Sequence, residues 1–255
     1  NNIFEELKLM EELCYILTEK RDNRGSLDFD FPEARIILDD NGVPIDIRKE
    51  DRRIANRIIE EFMLVSNETI AEYMHWSQVP FIYRIHEDPD SEKIAGFNKF
   101  VHNFGYSLKG FQDIHPKELQ NLMNNIKGKK EENLINTLLL RSLKKAIYSS
   151  EVNGHFGLAA KYYCHFTAPI RRYADLEIHR IIKSYINGKL YPDKIEKLER
   201  ILPEIAEQAS VMERKAEEAE RAVDDIKKAQ YMKDRIGEVY EGLVSSLTHF
   251  GMFVQ

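Results

Sequence analysis

Two adjacent arginines, Arg171 and Arg172, stand at the start of a segment in which apolar residues recur at helical spacing. Pro169 precedes them and suits the first turn of a helix, because proline has no N–H group to leave unpaired there. The first-turn N–H groups and the positive end of the helix dipole would lie where the two guanidinium groups also lie. The spacing therefore predicts a binding site for an anion such as phosphate.

Two further polar residues follow at one-turn intervals on the predicted helix over 169–186. Asp175 lies four residues after Arg171, and His179 lies four residues after Asp175, so the three share one side. Asp175 can hold one guanidinium by a charge-assisted hydrogen bond. An alternative interpretation is a buried Arg–Asp pair that fastens the helix end, with the histidine satisfied in the core. The residues alone leave both interpretations open.

The ordered string over 163–180 reads YCHFTAPIRRYADLEIHR. It resembles the His-Phe-Thr-Ser-Pro-Ile-Arg-Arg-Tyr-x-Asp-Leu signature of the RNB superfamily of 3′-to-5′ exoribonucleases, with Ala168 in the place of the usual serine. The Arg-x-x-Arg-Gly-x-Leu-x-Phe pattern at 21–29 and the Tyr-Arg-Ile-His-Glu run at 83–87 are similar to the ribonuclease R group of that superfamily. The resemblance spans nearly all of the chain.

This resemblance implies processive 3′-to-5′ hydrolysis of single-stranded RNA to nucleoside 5′-monophosphates, assisted by magnesium. It implies a catalytic role for Arg171 on the scissile or adjacent phosphate, while Glu60 and Glu220 would order water or the RNA 3′ end. Glu61 is a possible substitute for Glu60. The residues expected to contact or position RNA are Arg172, Asp175, His179, Arg180, Tyr163, His165, Thr167, Phe29, Tyr83 and Arg84. Core packing is an equal explanation for Phe29, and a strand with one apolar face is an equal explanation for Tyr83 and Arg84.

Metal-assisted phosphodiester hydrolysis needs a cluster of carboxylates that holds the ions and the attacking water. The resemblance implies that an aspartate-rich segment supplies these ligands, and the sequence contains no match to it. Asp39 and Asp40 lie in a predicted turn, and Asp224 and Asp225 lie in a predicted helix. We therefore expect the Mg²⁺ ligands outside this chain, assign no metal ligand within it, and expect these 255 residues to be an inactive fragment by themselves.

The composition is that of a soluble globular protein, with 43% hydrophobic and 31% charged residues. The net charge of -6 by itself argues against nucleic-acid binding, although much of the acid is concentrated over 193–234. The sequence has no apolar run of membrane-spanning length and no signal peptide, and its two cysteines, Cys14 and Cys164, read as free thiols. We expect a cytoplasmic protein that has no membrane partner and is a monomer.

The expected fold class is α+β and helix-rich. A partial RNB catalytic domain, with a twisted sheet and flanking helices, is predicted over 1–236, and the first strands of an OB-type RNA-binding barrel over 237–255. Helices are predicted over 2–20, 51–76, 93–104, 116–125, 131–148, 169–186 and 193–235, with a break near Pro203 in the last. Strands are predicted over 26–31 and 34–38, within 80–89, up to Thr167 and twice after Gly237, where Phe250 and Phe253 could stack on bases.

Two rival functions belong to other classes. One is a non-catalytic RNA-binding module that kept the arginine pair and lost the metal ligands. The other is a helical partner-binding protein, because apolar residues alternate three and four apart in a heptad seam. The seam residues are Ile205, Ala209, Met212, Ala216, Ala219, Val223 and Ile226. Its three alanines suit close packing against the rest of the domain equally well.

Overall fold

The computed structural model describes residues 2–29, 31, 33–110, 113–242, 244–249 and 251–254. Its helices are α1 (Asn2–Arg24), α2 (Ile54–Trp76), α3 (Ser91–His102), α4 (Pro116–Ile126), α5 (Glu132–Ser142), α6 (Tyr173–Ile186) and α7 (Pro192–Lys233). Its strands are β1 (Glu33–Leu38), β2 (Pro44–Glu50), β3 (Tyr83–Ile85), β4 (Ile147–Ser149), β5 (Val244–Thr248) and β6 (Gly251–Val254). The predicted helix-rich α+β class is confirmed.

The chain divides into two compact units, one of residues 1–29 and 52–214 and the other of 30–51 and 215–255. The expected sheet is divided as well, because the described strands form three separate antiparallel pairs, β1–β2, β3–β4 and β5–β6. The domain boundary at residue 236 stays a prediction. No helix in the described ranges is long and apolar enough to cross a membrane.

The first unit has two apolar cores. One core joins α2, β3, β4, α6 and the first half of α7, and its fully buried side chains include Met74, Phe81, Ile82, Ile178 and Leu202. The apolar positions of α2 and α6 recur at helical spacing, so each helix turns one face to this core. The second core is built mainly by α3, α4 and α5, with Ile94, Leu119, Ile126, Ile135 and Leu139 fully buried. The signature segment over 163–180 is thus attached to the first core, through Cys164, Phe166 and Ile178.

Two element predictions were wrong in this unit because tertiary contacts decide the local structure. The described part of the predicted strand over 26–31 is not a strand, since the Leu27 N–H donates to the Gly157 carbonyl (2.7 Å) and Gln120 donates to the Ser26 carbonyl (2.8 Å). The predicted helix over 131–148 ends at Ser142, where Leu143 turns extended, and 147–149 pair with β3.

The start of α6 also differs from the prediction. The helix begins at Tyr173, and Arg172 is its extended N-cap residue with φ -124° and ψ 120°. The Ala168 carbonyl accepts the N–H groups of Arg171 (3.2 Å) and Arg172 (3.1 Å), which closes a turn before the helix. The residues over 163–167 are not a strand. The arginine pair therefore precedes the helix, and is not part of its first turn.

α7 runs through Pro203 without the predicted break. Leu198, Leu202 and Ala206 are buried at four-residue spacing on one face, so core packing supports the helix across the proline. Of the predicted heptad seam, Ile205 and Ala209 pack against the same core, whereas Met212 is mostly exposed. The start of the seam is therefore occupied by packing within the domain.

The second unit contains the predicted hairpin of β1 and β2. Its turn is confirmed, because Gly42 has φ +75° and donates its N–H to the Asp39 carbonyl, while the Asp39 carboxylate accepts the N–H groups of Asn41 and Val43. The two strands expected after Gly237 are confirmed as β5 and β6. The predicted base-stacking residue Phe250 lies outside the described residues, and an OB-type barrel stays a prediction.

Candidate active site

A buried asparagine of α2 fixes the signature segment. The Asn67 side chain is 2% exposed, and its Oδ1 accepts the Phe166 N–H at 2.9 Å while its Nδ2 donates to the Tyr163 hydroxyl at 3.1 Å. Its backbone carbonyl accepts the Cys164 thiol at 3.3 Å. One residue thus binds three of the four residues over 163–166, and burial raises the pKa of Tyr163 to about 12, so its hydroxyl stays protonated.

The loop between this segment and α6 is fixed by Asp175. Its side chain is fully buried, and its Oδ2 accepts the Ala168 N–H at 2.8 Å and the Arg172 Nη2–H at 2.7 Å. The predicted Arg–Asp pair is therefore present, but Arg172 forms it at i,i+3 instead of Arg171 at i,i+4. A buried carboxylate that accepts a guanidinium and an amide is an anchor for the whole turn.

This arrangement leaves Arg171 free. Its side chain is exposed, and it forms no hydrogen bond or ion pair with any residue that the structure describes. A guanidinium offers five N–H donors in a fixed fork that matches phosphate oxygens. Because the neighbouring backbone is held by Asp175, Arg171 presents an unpaired cation from a fixed position. This is the geometry that an anion site requires.

A second group of polar and charged side chains adjoins His165 of the signature segment. The Arg84 guanidinium is 4.6 Å from the centre of the Tyr148 ring and forms a 2.5 Å ion pair with Glu213 of α7. The Tyr148 hydroxyl forms a 2.9 Å hydrogen bond with His165 Nδ1. Burial, and then the cations of Arg172 and Arg84, lower the pKa of His165 to about 2. His165 is therefore neutral, and its contacts give it a structural position in the wall of the site.

Two predicted residues of α6 have partners within the protein. The His179 ring stacks on the Phe166 ring with centroids 4.3 Å apart, and its Nε2–H donates to the Phe166 carbonyl at 2.9 Å. Arg180 forms a 2.9 Å ion pair with Glu177 and is mostly exposed. His179 therefore supports the signature segment, while Arg180 stays accessible to solvent.

The two glutamates predicted from α2 have different environments. Glu60 is exposed and binds Arg52 through Nε at 2.9 Å and Nη2 at 2.5 Å, and the same arginine also binds Asp28 at 2.9 Å. Glu61 is buried and binds Arg21 Nε at 3.0 Å and Nη2 at 2.8 Å. Each carboxylate is thus occupied by an arginine, and Glu60 is the one that solvent can reach.

The remaining predicted residues lie in four places. Tyr83 is buried in the first core, and Phe29 packs partly buried against the second, which favours the packing explanation for both. Thr167 lies within the loop, next to the anchored turn. Glu220 is exposed and belongs to the second unit. The described residues that converge around the loop are therefore Thr167, Arg171, Arg172 and Asp175, backed by Arg84, Tyr163 and His165.

Three buried polar atoms at this loop have no hydrogen-bond partner among the described residues. They are Thr167 Oγ1, Arg172 Nε and Asp175 Oδ1. Unpaired buried groups of this kind cost stability unless another molecule or segment binds them. Asp175 is a single carboxylate, and the described residues contain no group of three or more His, Cys, Asp or Glu side chains that could hold a metal ion. This part of the chain does not fit a magnesium centre.

Sequence reasoning missed three residues that build the site, Asn67, Tyr148 and Glu213. Their partners lie from 17 to 129 positions away in the chain, so no local pattern indicates them. The one signal for Asn67 was its place on the α2 side that also carries Asn56, where polar residues interrupt an apolar helix. The sequence carried no corresponding signal for Glu213.

Comparisons with known proteins show the family of the chain. Residues 2–188 match the family model of the RNB domain. Ribonuclease R 1 of Lactococcus lactis is 47% identical over 254 residues, which are 99% of this chain and 31% of that protein. Ribonuclease R of Aquifex aeolicus is 42% identical over 100% of this chain and 36% of its own length. The chain thus spans about a third of the length of these relatives.

Two solved structures are also similar. Mycoplasma genitalium RNase R, in complex with ribose methylated single-stranded RNA, superposes with a TM-score of 0.94 at 28% identity, over 99% of this chain and 40% of that chain. Yeast Ssd1, described as a pseudonuclease, has a TM-score of 0.54 at 30% identity, over 63% of this chain and 20% of its own. The chain belongs to the RNB-domain family and is similar to ribonuclease R along its whole length.

Proposed function

We propose that the polypeptide carrying this chain is a 3′-to-5′ exoribonuclease that degrades single-stranded RNA processively to nucleoside 5′-monophosphates. The observation that carries the proposal is the free guanidinium of Arg171 on a turn anchored by Arg172 and Asp175. The similarity to ribonuclease R supports the same activity. The RNA complex of the Mycoplasma genitalium relative supports single-stranded RNA as the substrate.

Arg171 would act on the phosphate that reacts. Negative charge grows on the phosphoryl oxygens as the diester is attacked, and a fixed guanidinium stabilises that charge without having to move. Arg172 has its Nη2–H committed to Asp175, so we assign it to positioning the turn. Arg180, which is exposed on α6, would contact the RNA backbone.

The hydrolytic step needs groups that these residues do not supply. Magnesium, when bound by the polypeptide, would activate the attacking water, and we propose that its carboxylate ligands lie outside the 255 residues. Glu60 and Glu220 are our candidates for ordering water or the RNA 3′ end, because both are accessible to solvent. The 255-residue chain alone is then expected to leave RNA intact.

A degradation assay tests the activity. Single-stranded RNA labelled at its 5′ end is incubated with the natural polypeptide that contains this chain, and the released nucleotides are separated by chromatography against 5′- and 3′-monophosphate standards. We expect the full-length band to convert to a short end product without a ladder of intermediates, with release of nucleoside 5′-monophosphates. Release of 3′-monophosphates, or degradation by the 255-residue chain alone, would contradict the proposal.

A second candidate is a non-catalytic RNA-binding module, and the similarity to the pseudonuclease Ssd1 favours it. The same assay separates the two candidates. A polypeptide that binds the labelled RNA in a mobility-shift experiment but releases no nucleotide at any magnesium concentration is the binding module. Nucleotide release with 5′-phosphate ends identifies the enzyme.

A further inference from the structure

A cavity of about 500 Å³ opens where the end of α2 meets the first third of α7, and none of its described lining residues belongs to the arginine turn. Trp76, the one tryptophan of the chain, forms its rim and is 68% exposed. Its neighbours His75 and Tyr162 contact the indole at interplanar angles of 76° and 67°. Neither contact is a parallel stack, and the high exposure of the indole leaves much of its surface for a ligand.

The polar groups of this cavity are also without partners. The side chains of His75, Gln78, Ser150 and Glu199 line it, and none of them forms a hydrogen bond or ion pair with a residue in the described ranges. Gln78 occupies the left-handed region at φ 54°, at the turn that ends α2. A cavity with an open aromatic face and a few convergent, unpaired polar groups has the features of a ligand site.

The charge of the cavity selects the ligand. Among the described residues that line the cavity, Glu199 is the only Asp or Glu, and none is a lysine or arginine. A phosphate would be repelled by this carboxylate. A cation would be attracted both by the carboxylate and by the face of the indole, which is the best aromatic partner for a cation.

The shape of the groups favours a guanidinium over an ammonium. A guanidinium is planar, so it can stack on the Trp76 ring while two of its N–H groups bind the Glu199 carboxylate in parallel. The remaining N–H donors can bind the amide oxygen of Gln78 and the Ser150 hydroxyl. We propose that this cavity binds the side chain of an arginine presented by a basic segment of a partner protein. The net charge of -6 makes this chain a suitable surface for such a partner.

NMR of the 255-residue chain gives a direct test, because the sole indole N–H resonance belongs to Trp76 and reports on this cavity alone. The chain is titrated with N-acetyl-arginine amide, N-acetyl-lysine amide and cytidine, and then with a peptide that carries one arginine among neutral residues. We expect a saturable shift at millimolar arginine amide, a tighter response to the peptide, and at least a fivefold weaker response to the lysine amide.

Two variants on α7 form a matched pair. Glu199→Gln removes the carboxylate and should weaken arginine binding about tenfold. Glu196→Gln changes an exposed glutamate that does not line the cavity, and should leave binding unchanged. Both substitutions are at exposed positions, and unchanged backbone amide resonances away from the cavity verify the fold of the free variants.

The result that would overturn the proposal is the absence of a saturable shift with arginine amide, or equal binding by Glu199→Gln and the wild-type chain. A stronger response to cytidine would overturn it in favour of a nucleobase site. Binding of the free amide without tighter binding of the peptide would assign the cavity to a small guanidinium compound. The assay does not depend on RNA hydrolysis, so it stands apart from the proposed enzymatic activity.

Discussion

Asn67 shows how one side chain can determine the geometry of a distant loop. Its amide binds the Phe166 N–H and the Tyr163 hydroxyl at once, from a position 2% exposed. A leucine at this position would leave both groups buried without a partner. The cost of such unpaired groups is about 1–3 kcal/mol each, larger than the net gain from making the bonds.

We therefore expect Asn67→Leu to lower the free energy of unfolding by about 2–4 kcal/mol. Tyr163→Phe removes only one of the two bonds and should cost about 1 kcal/mol. Urea unfolding of the 255-residue chain measures both values. Equal stability of Asn67→Leu and the wild-type chain would show that the segment is held by other contacts.

The residue scale also shows where prediction from sequence succeeded and where it failed at the site. An Arg–Asp pair was predicted from spacing and is present, whereas the anion site stays a prediction. The partners were exchanged, because a helix starting at Pro169 would bring Arg171 over Asp175, whereas the helix starts at Tyr173 and brings Arg172 there. An extended residue at the N-cap changes the angle of every side chain before it, and the local sequence did not indicate that cap.

At the scale of elements, segments with a clear apolar pattern were predicted within a few residues, as for α2 and β1, whereas no strand was predicted at β2. Errors occurred where a partner distant in sequence decides the structure. The segment after Gly25 is extended because Gly157 and Gln120 bind its backbone, and 147–149 form a strand because β3 pairs with them. The strand propensity of a local sequence cannot indicate these partners, since they come together only in the folded chain.

Pro203 offers a test at this scale. It lies inside α7 on an exposed position, where it removes one helical hydrogen bond without making a core contact. Pro203→Ala should restore the bond to the Glu199 carbonyl and stabilise the chain by about 2 kcal/mol.

Thermal and urea unfolding of the Pro203→Ala chain check this value, with Glu204→Ala as the control at the neighbouring exposed position. The control should change the free energy of unfolding by less than about 0.5 kcal/mol. A destabilised Pro203→Ala chain would mean that the proline fits a bend that the core requires.

At the scale of the whole molecule, two partly buried histidines couple folding to pH. Burial is the main cause that lowers the pKa of His155 to about 3 and of His165 to about 2. Both rings are neutral in the folded chain, whereas in the unfolded chain they bind protons below a pKa of about 6.5. Their contribution to stability is complete above that value and is lost as pH falls toward 3.

We expect the free energy of unfolding to fall by roughly 1.4 kcal/mol per pH unit for each of these two histidines between pH 6 and pH 5. Urea unfolding across this range gives the slope. The double variant His155→Gln/His165→Gln should have a flatter slope, because glutamine does not titrate. An identical slope in both chains would contradict the assignment of the two histidines as buried and neutral.

The central claim concerns one cation: Arg171 is free to bind the reacting RNA phosphate because Asp175 and Arg172 hold its turn. The most direct measurement is the turnover number of the natural polypeptide with Arg171→Ala on single-stranded RNA. Arg200→Ala, an exposed arginine of α7, is the matched control. The account predicts a turnover lowered on the order of 10²–10³-fold by Arg171→Ala and unchanged by Arg200→Ala. Wild-type turnover in Arg171→Ala would contradict it.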